Sequence, residues 1–326
     1  MDENQDFIIF ANKINGDGTG TPLVGDDISK EIKANNLAWV HMQADHPKTR
    51  EWLQREVAYL DHIVIDALLA DETRPRVMEI GDGVLMILRG VNLNEDAKPE
   101  DMVSIRLWVD EHRIISLRRR KLKAVIDIHE KLQEGRGPKN SGDFVTEVSA
   151  RLFERMSPVM LDLDERTDDI EERIIENPDI SERQEINDIR KKAITFRRYI
   201  APQKDVMAHL RMSTLPWLTD KHKRMVQESF DRVTRYVEDL DMIRERAQIV
   251  KDELANALAD RLNKNMYVLS VIAAVFLPLG FLTGLFGINI GGMPGVESPM
   301  AFTVFSVSLV VIVAVQVFLF KKMKWF

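Results

Sequence analysis

Two stretches decide the architecture of this chain: MYVLSVIAAVFLPLGFLTGLF (residues 266–286) and AFTVFSVSLVVIVAVQVFLF (residues 301–320). Neither contains Asp, Glu, Lys, Arg or His. At ~1.5 Å per residue each run reaches roughly 30 Å, the thickness of a bilayer's hydrocarbon core. Two full-length runs in succession predict a pair of transmembrane helices, TM1 (266–286) and TM2 (301–320), rather than a buried hairpin in a soluble core. Arg261 and Lys264 precede TM1, and Lys321, Lys322 and Lys324 follow TM2, whereas the loop 287–300 has no base. The positive-inside bias therefore places both termini in the cytoplasm and the loop outside. Met1-Asp2-Glu3-Asn4 has neither a basic start nor an apolar run, so no cleaved leader is expected.

The remainder of the chain has the opposite character. Of its 326 residues, 52 are acids and 45 are Lys or Arg, a net of −7. Glu297 is the only charged residue between Met266 and Phe320, so 51 of the acids and 42 of the bases sit in the first 265 residues. That balance is too acidic for a protein that binds nucleic acid through its overall charge. The chain has no Cys, which excludes disulfide frameworks, thiolate zinc sites and Cys nucleophiles. It also lacks a phosphate-binding glycine loop, a nucleophile elbow and an HExxH helix, so neither catalytic residues nor a resident cofactor are expected.

Residues 1–142 read as a mixed α/β domain. Short β-type runs appear at Phe7–Ala11 and Ala38–Met42. Arg76–Ile80 and Val84–Leu88 flank Gly81-Asp82-Gly83, and Val103–Val109 and Arg113–Leu117 flank Asp110-Glu111-His112, two hairpin patterns. Helical stretches lie between, around Thr49–Leu60 and Ile63–Leu69, and the breaker cluster GRGPKNSG (135–142) closes the region. Residues 143–217 read as helical, broken near Asn177-Pro178 and Leu215-Pro216. Nothing after Pro216 stops a helix before the membrane, which predicts one rod over 218–286 of roughly 100 Å. Val226, Phe230, Val233, Val237, Leu240, Ala247, Val250, Leu254 and Ala257 form its packing stripe. The expected order is completed by an outer loop (287–300), TM2 and a basic tail (321–326).

A second ladder faces away from that stripe. Asn256, Asn263, Ser270, Leu277 and Gly284 recur every seven residues, with Asp252 and Asp260 beside the line. Leu254 and Asn256 are separated by ~200° around a helix. Such a face on a soluble helix is commonly just solvated, but here it continues into the bilayer, where polar groups are costly unless they face protein or water. If several copies surround an axis, the line forms an aqueous path and each repeated acid forms a ring that concentrates cations. Gly280-x-x-x-Gly284 reads equally as a close-packing motif, and Pro278 frees the carbonyl of Ala274.

Gly287-Ile288-Asn289 closes TM1 and is followed by Ile290-Gly291-Gly292-Met293-Pro294. In this position, before a second span and a terminal Lys-Lys-Met-Lys-Trp, it resembles the CorA-type metal-ion transporter family, whose signature is Gly-Met-Asn. With Ile288 in the middle and Ile-Gly-Gly-x-Pro after it, it looks like the ZntB-like branch of zinc transporters. The resemblance extends over most of the chain, including Glu72-Thr73-Arg74-Pro75-Arg76. It implies an inner-membrane homopentamer with an α+β cytoplasmic funnel of α/β/α sandwich domains, joined by long stalk helices to a ring of first spans around one pore. The second spans would form an outer ring against lipid. Gly295 and Glu297 depart from the pattern, in which an acid often follows Met-Pro directly, so an ion-collecting Glu297 and a solvated loop acid remain alternative readings.

The resemblance also implies a pore mouth at Gly287, Ile288 and Asn289, where Asn289 alternatively reads as a helix C-terminal residue satisfying loop backbone. Leu277, on the same ladder, reads as a hydrophobic constriction or as ordinary helix packing. Amide oxygens suit the outer shell of a hydrated divalent cation. Zinc itself follows from the branch resemblance alone, because a dehydrated zinc site wants His, Cys or carboxylate and TM1 offers none. His41 with Asp45 and His46, and separately His209 and His222, are candidate cytoplasmic metal ligands or ordinary structural residues. The acid run DERTDDIEE (164–172) reads as a cation-attracting patch or a solvated helix face, and Arg118-Arg119-Arg120-Lys121 as a short basic cluster. The expected partners are metal cations, Zn2+ among them by resemblance, lipid and further copies of the chain, with no nucleic acid. The competing readings are zinc uptake, proton-coupled or passive, a magnesium, cobalt or nickel channel, and a non-conducting membrane scaffold.

Overall fold

The computed structural model describes residues 6–34, 36–287, 295 and 297–322. The chain divides into two compact units, Met1–Asp252 and Glu253–Phe326. The first unit opens with β1 (Ile8–Ile14), β2 (Gly20–Pro22), α1 (Asp26–Lys33), β3 (Ala38–Gln43), α2 (Pro47–Glu56) and α3 (His62–Leu69). Four strands follow, β4 (Arg76–Ile80), β5 (Gly83–Gly90), β6 (Val103–Val109) and β7 (Arg113–Arg118). Helices α4 (Lys123–Gln133), α5 (Ser141–Glu154), α6 (Ser157–Glu176) and α7 (Glu182–Met212) come next. Helix α8 (Asp220–Gly287) runs from the first unit into the second, which also holds α9 (Ala301–Lys322).

The strands form one sheet in the order β2-β1-β3-β7-β6-β5-β4, in which only β3 and β7 pair in parallel. Both turns expected from sequence are present, with Gly81 at φ 58 in the first. Every residue of β6 is buried, as a strand covered on both faces requires. On one face Ile28 and Ile32 of α1, Trp52 and Leu53 of α2, and Val64 and Leu68 of α3 pack on Val40, Met42, Ile115 and Leu117. On the other, Trp39 meets Phe144 of α5 edge-on at 4.9 Å, Phe10 stacks on His129 of α4 at 3.9 Å, and Gln203 of α7 accepts from the Arg89 amide at 3.0 Å. This is the α/β/α sandwich expected from sequence.

The sequence reading passes over β2, α1 and α4, and it also passes over the break between α5 and α6 at Arg155–Met156. The packing stripe of α8 differs as well. The buried positions are His222, Val226, Ser229, Val233, Tyr236, Leu240, Ile243, Ala247, Val250 and Leu254, an alternation of three and four from Val226 onward. Phe230 and Val237 are half-buried beside it. Ser229 and Tyr236 qualify by position rather than hydrophobicity, and Tyr236 satisfies its hydroxyl by donating to the Phe153 carbonyl at 3.0 Å.

The junction between α5 and the start of α8 depends on a missing side chain. Asn140 caps α5 by accepting from the Asp143 amide at 2.8 Å. Asp143 in turn bonds the buried ring of His222 at 3.1 Å, and His222 accepts from the Thr219 amide at 3.1 Å. A Cβ on Gly142 would lie 2.2 Å from Nδ1 of that ring. In an open helix Gly→Ala gains about 1 kcal/mol, whereas overpacking a filled site costs about 1–3 kcal/mol. The ring is locked from both sides, so the clash outweighs the propensity gain. Gly142→Ala is therefore expected to lower stability by about 1–2 kcal/mol, read as an earlier denaturant midpoint of the detergent-solubilised chain.

Candidate ion-conducting face

Within the second unit, α8 has one side turned to α9 and another left open. Val271, Ala274, Val275, Leu279 and Leu282 are partly covered, as are Phe305, Leu309, Ile312, Val313 and Gln316 of α9. Asn256, Asn263, Ser270, Leu277 and Gly284 are all exposed, Leu277 at 71 %. On an ideal helix the membrane part of the ladder lies roughly 130° from the centre of the α9 side. Asp260, on the same helix, is exposed too. Asp252, the last residue of the first unit, is exposed and accepts from Gln248 Nε2 at 2.9 and 3.1 Å.

Three hydroxyls of the spans are satisfied inside their own helices. Ser270 donates to the Met266 carbonyl at 2.8 Å, Thr283 to Leu279 at 2.9 Å, and Ser308 to Phe305 at 2.7 Å. That leaves the oxygen lone pairs of Ser270 as acceptors on the ladder face. A Cβ on Gly280 or Gly284 would meet nothing within 4 Å. Any close packing at these glycines therefore involves something outside the single chain.

One polar contact between the spans escapes the sequence reading. Pro278 has no amide hydrogen, so the Ala274 carbonyl lacks its helical partner, and Gln316 of α9 donates Nε2 to it at 3.4 Å. Gln316 is the only amide side chain in TM2, and a polar residue at that depth is the signal that could have been read.

Gly287 ends α8 and is exposed, whereas Ile288 and Asn289 lie outside the described residues. Gly295 has φ 91, a backbone region that favours glycine, and its carbonyl accepts from the Ser298 amide at 3.0 Å. An acid at that position would be strained, and the loop acid of this chain, Glu297, is exposed.

The histidines are dispersed through the first unit. His41 is buried in β3, bonded through Nδ1 to Ser116 Oγ at 2.8 Å and stacked on Phe10. His46 caps α2, accepting from the Lys48 amide at 3.2 Å, and stacks on Phe7. Asp45 accepts from Gln43 at 2.7 Å. His209 lies 3.3 Å from Glu79, and His222 belongs to the junction described above. Among the described residues no group of three or more His, Cys, Asp or Glu is arranged to hold a metal ion. Three acids of the 164–172 run converge on Arg246 of α8: Asp168 and Glu171 at 2.5 Å and Asp164 at 3.6 Å.

A sandwich domain carried on a long helix that continues into an apolar span, with a second apolar helix after it, defines a two-span membrane protein. The family model described as CorA-like Mg2+ transporter protein matches residues 34–322, and the chain belongs to that family. The zinc transport protein ZntB of Yersinia enterocolitica serotype O:8 / biotype 1B is 37 % identical over 317 residues, 97 % of this chain and 95 % of that protein. The full-length CmaX protein structure shares 33 % identity and a TM-score of 0.87 over 100 % of both chains. The CorA magnesium transporter of Methanocaldococcus jannaschii, at 17 % identity, shares the fold with a TM-score of 0.78 over 97 % of this chain and 98 % of its own.

Two outcomes follow from these contacts. Gln316→Leu strands the Ala274 carbonyl and is expected to destabilise the detergent-solubilised chain by about 1 kcal/mol, measurable as a lower thermal midpoint. For His41, burial first and the Arg118 charge second push the pKa down to about 3. The unfolded chain takes up this proton near pH 6.5, the folded chain only near 3. Stability contributed by the neutral ring is therefore complete above 6.5 and drains away as pH falls towards 3. His41→Gln should flatten that loss in denaturation midpoints measured between pH 4 and 7.

Proposed function

We propose that this chain is a divalent-cation transporter that takes up zinc across the inner membrane, with both termini cytoplasmic. It works as a homopentamer in which five α8 helices surround one aqueous pore and the α9 helices form an outer ring against lipid. The observation that carries this reading is the exposure of the small and polar ladder on the side of α8 turned away from α9. A bilayer penalises such a face unless water or further copies cover it. Family membership and the printed function of the ZntB relatives support the cation class and zinc respectively.

In this arrangement Asn289, with Gly287 and Ile288, rings the outer mouth and accepts bonds from the waters of a hydrated ion. Leu277 forms a constriction that closes by dewetting. Gly284, Ser270, Asn263 and Asn256 line the path, while Asp252, Asp260 and Glu297 concentrate cations at its ends. Zinc passes the membrane section largely hydrated, because that section offers no thiolate, imidazole or carboxylate. Proton coupling, where it operates, runs through Glu297 or the acids before Met266.

The test is zinc influx into proteoliposomes loaded with a zinc-sensitive dye, run beside magnesium, with and without a pH gradient. Zinc influx is expected. Asn289→Ala should reduce it at least tenfold, and Leu277→Trp should block it. A correctly assembled protein that admits no divalent cation overturns the reading.

A further inference from the structure

At the end of the sheet where β5 stops, β6 begins and β7 stops, a cleft of about 510 Å³ opens towards α7. Four arginines line it: Arg89, Arg106, Arg119 and Arg120. Arg106 stands in the middle of β6 and is 1 % exposed. Its Nη2 donates to the Ala70 carbonyl at 2.9 Å, while Nε and Nη1 have no partner. Among the described residues no carboxylate pairs with it.

Arg89, beside it, donates to the carbonyls of Thr73 (3.1 and 2.8 Å) and Met102 (2.9 Å) and lies 4.2 Å over the Tyr199 ring. Its positive charge is thus held by neutral groups. Arg119 reaches Asp71 and the Leu69 carbonyl with Nη2 and keeps its Nε unpartnered. Arg120 is exposed at the cleft. Of the three acids in the lining, Asp71 is committed to Arg119, Glu100 is partly exposed and Asp101 is exposed.

A buried guanidinium with free donors and no counter-charge is a costly arrangement that proteins rarely keep without use. Here burial, then the charges of Arg119 and Arg89, push the Arg106 pKa down to about 10. An incoming anion would satisfy the free donors and offset the repulsion together. Several arginines around a cleft larger than one ion suit an anion with three or four acceptor oxygens better than a planar carboxylate.

We propose that this cleft binds a phosphate group, with Arg106 and Arg119 as its inner donors and Arg120 at the mouth. The phosphate is either inorganic or carried on a nucleotide. The site is independent of the transport reading, since every residue in it belongs to the first unit.

The test uses the full chain in maltoside detergent at constant ionic strength, titrated with inorganic phosphate or with metal-free ATP, and followed by thermal midpoint. A saturable rise that chloride does not reproduce is expected. Arg106→Met should weaken the apparent affinity at least tenfold, and Arg120→Gln, an exposed change that leaves folding intact, several-fold. ATP acting at a tenfold lower concentration than phosphate assigns a nucleotide, and equal concentrations assign the free ion. No saturable shift, or wild-type affinity retained by Arg120→Gln and by any folded Arg106→Met, overturns the proposal.

Discussion

An α-helix turns every 3.6 residues, and α8 carries patterns that repeat every seven. A strict seven-residue repeat drifts by about 20° per heptad on a straight helix. Between Val226 and Leu254 the buried stripe therefore sweeps roughly 80°, and no single neighbour could cover it. Its partners change along the way: Tyr236 bonds α5, Asp241 meets Arg197 of α7 at 2.6 Å, and Arg246 collects the acids of α6. The ladder from Asn256 to Gly284 drifts by the same amount. Identical helices that keep it on a common axis must wrap around one another with a left-handed supercoil.

The bilayer adds a second constraint, because no water is available there to repair a broken backbone bond. Pro278 breaks one, and Gln316 supplies the donor from the other span. The hydroxyls of Ser270, Thr283 and Ser308 do not serve this purpose, since each of them bonds its own helix. The pairing of the two spans thus has one polar element in an otherwise apolar contact. Its remaining oxygen, Gln316 Oε1, is buried without a partner, which makes the contact only half satisfied and easier to part than a fully bonded amide.

Long-period features were legible in the sequence, and features set by tertiary contact were not. The spans, the long helix and both hairpin turns show in hydropathy and turn chemistry over many residues. β2 is three residues long, and α1 is mostly charged, with only Ile28 and Ile32 buried. Such short elements form because a sheet edge or a core face is already there to receive them. On α8, counting apolar residues selected Phe230 and Val237, whereas heptad position selects Ser229 and Tyr236. For the candidate face, seven-fold spacing placed the ladder opposite the packing stripe. What it could not convey is that three of the six acids at 164–172 converge on Arg246, or that an arginine lies buried inside β6.

That contrast bears on how charge is used across the molecule. Clusters conspicuous in the sequence are partly paired by folding. The acid run finds Arg246, and Asp71 takes up part of the basic cluster through Arg119. Along the ladder of the proposed pore the acids are Asp252 and Asp260, with Glu297 beyond it in the loop, and all three are exposed. Between them lie amides, a hydroxyl, leucine and glycine. Stripping the waters from a divalent ion there would cost far more than these neutral oxygens return, because a bare ion in a low-dielectric medium needs charged ligands. The same shortage of ligands gives the path little means of choosing between hydrated divalent ions of similar size. Selectivity in such a pore must come from its width and from the field at its two ends, not from a coordination site within the membrane.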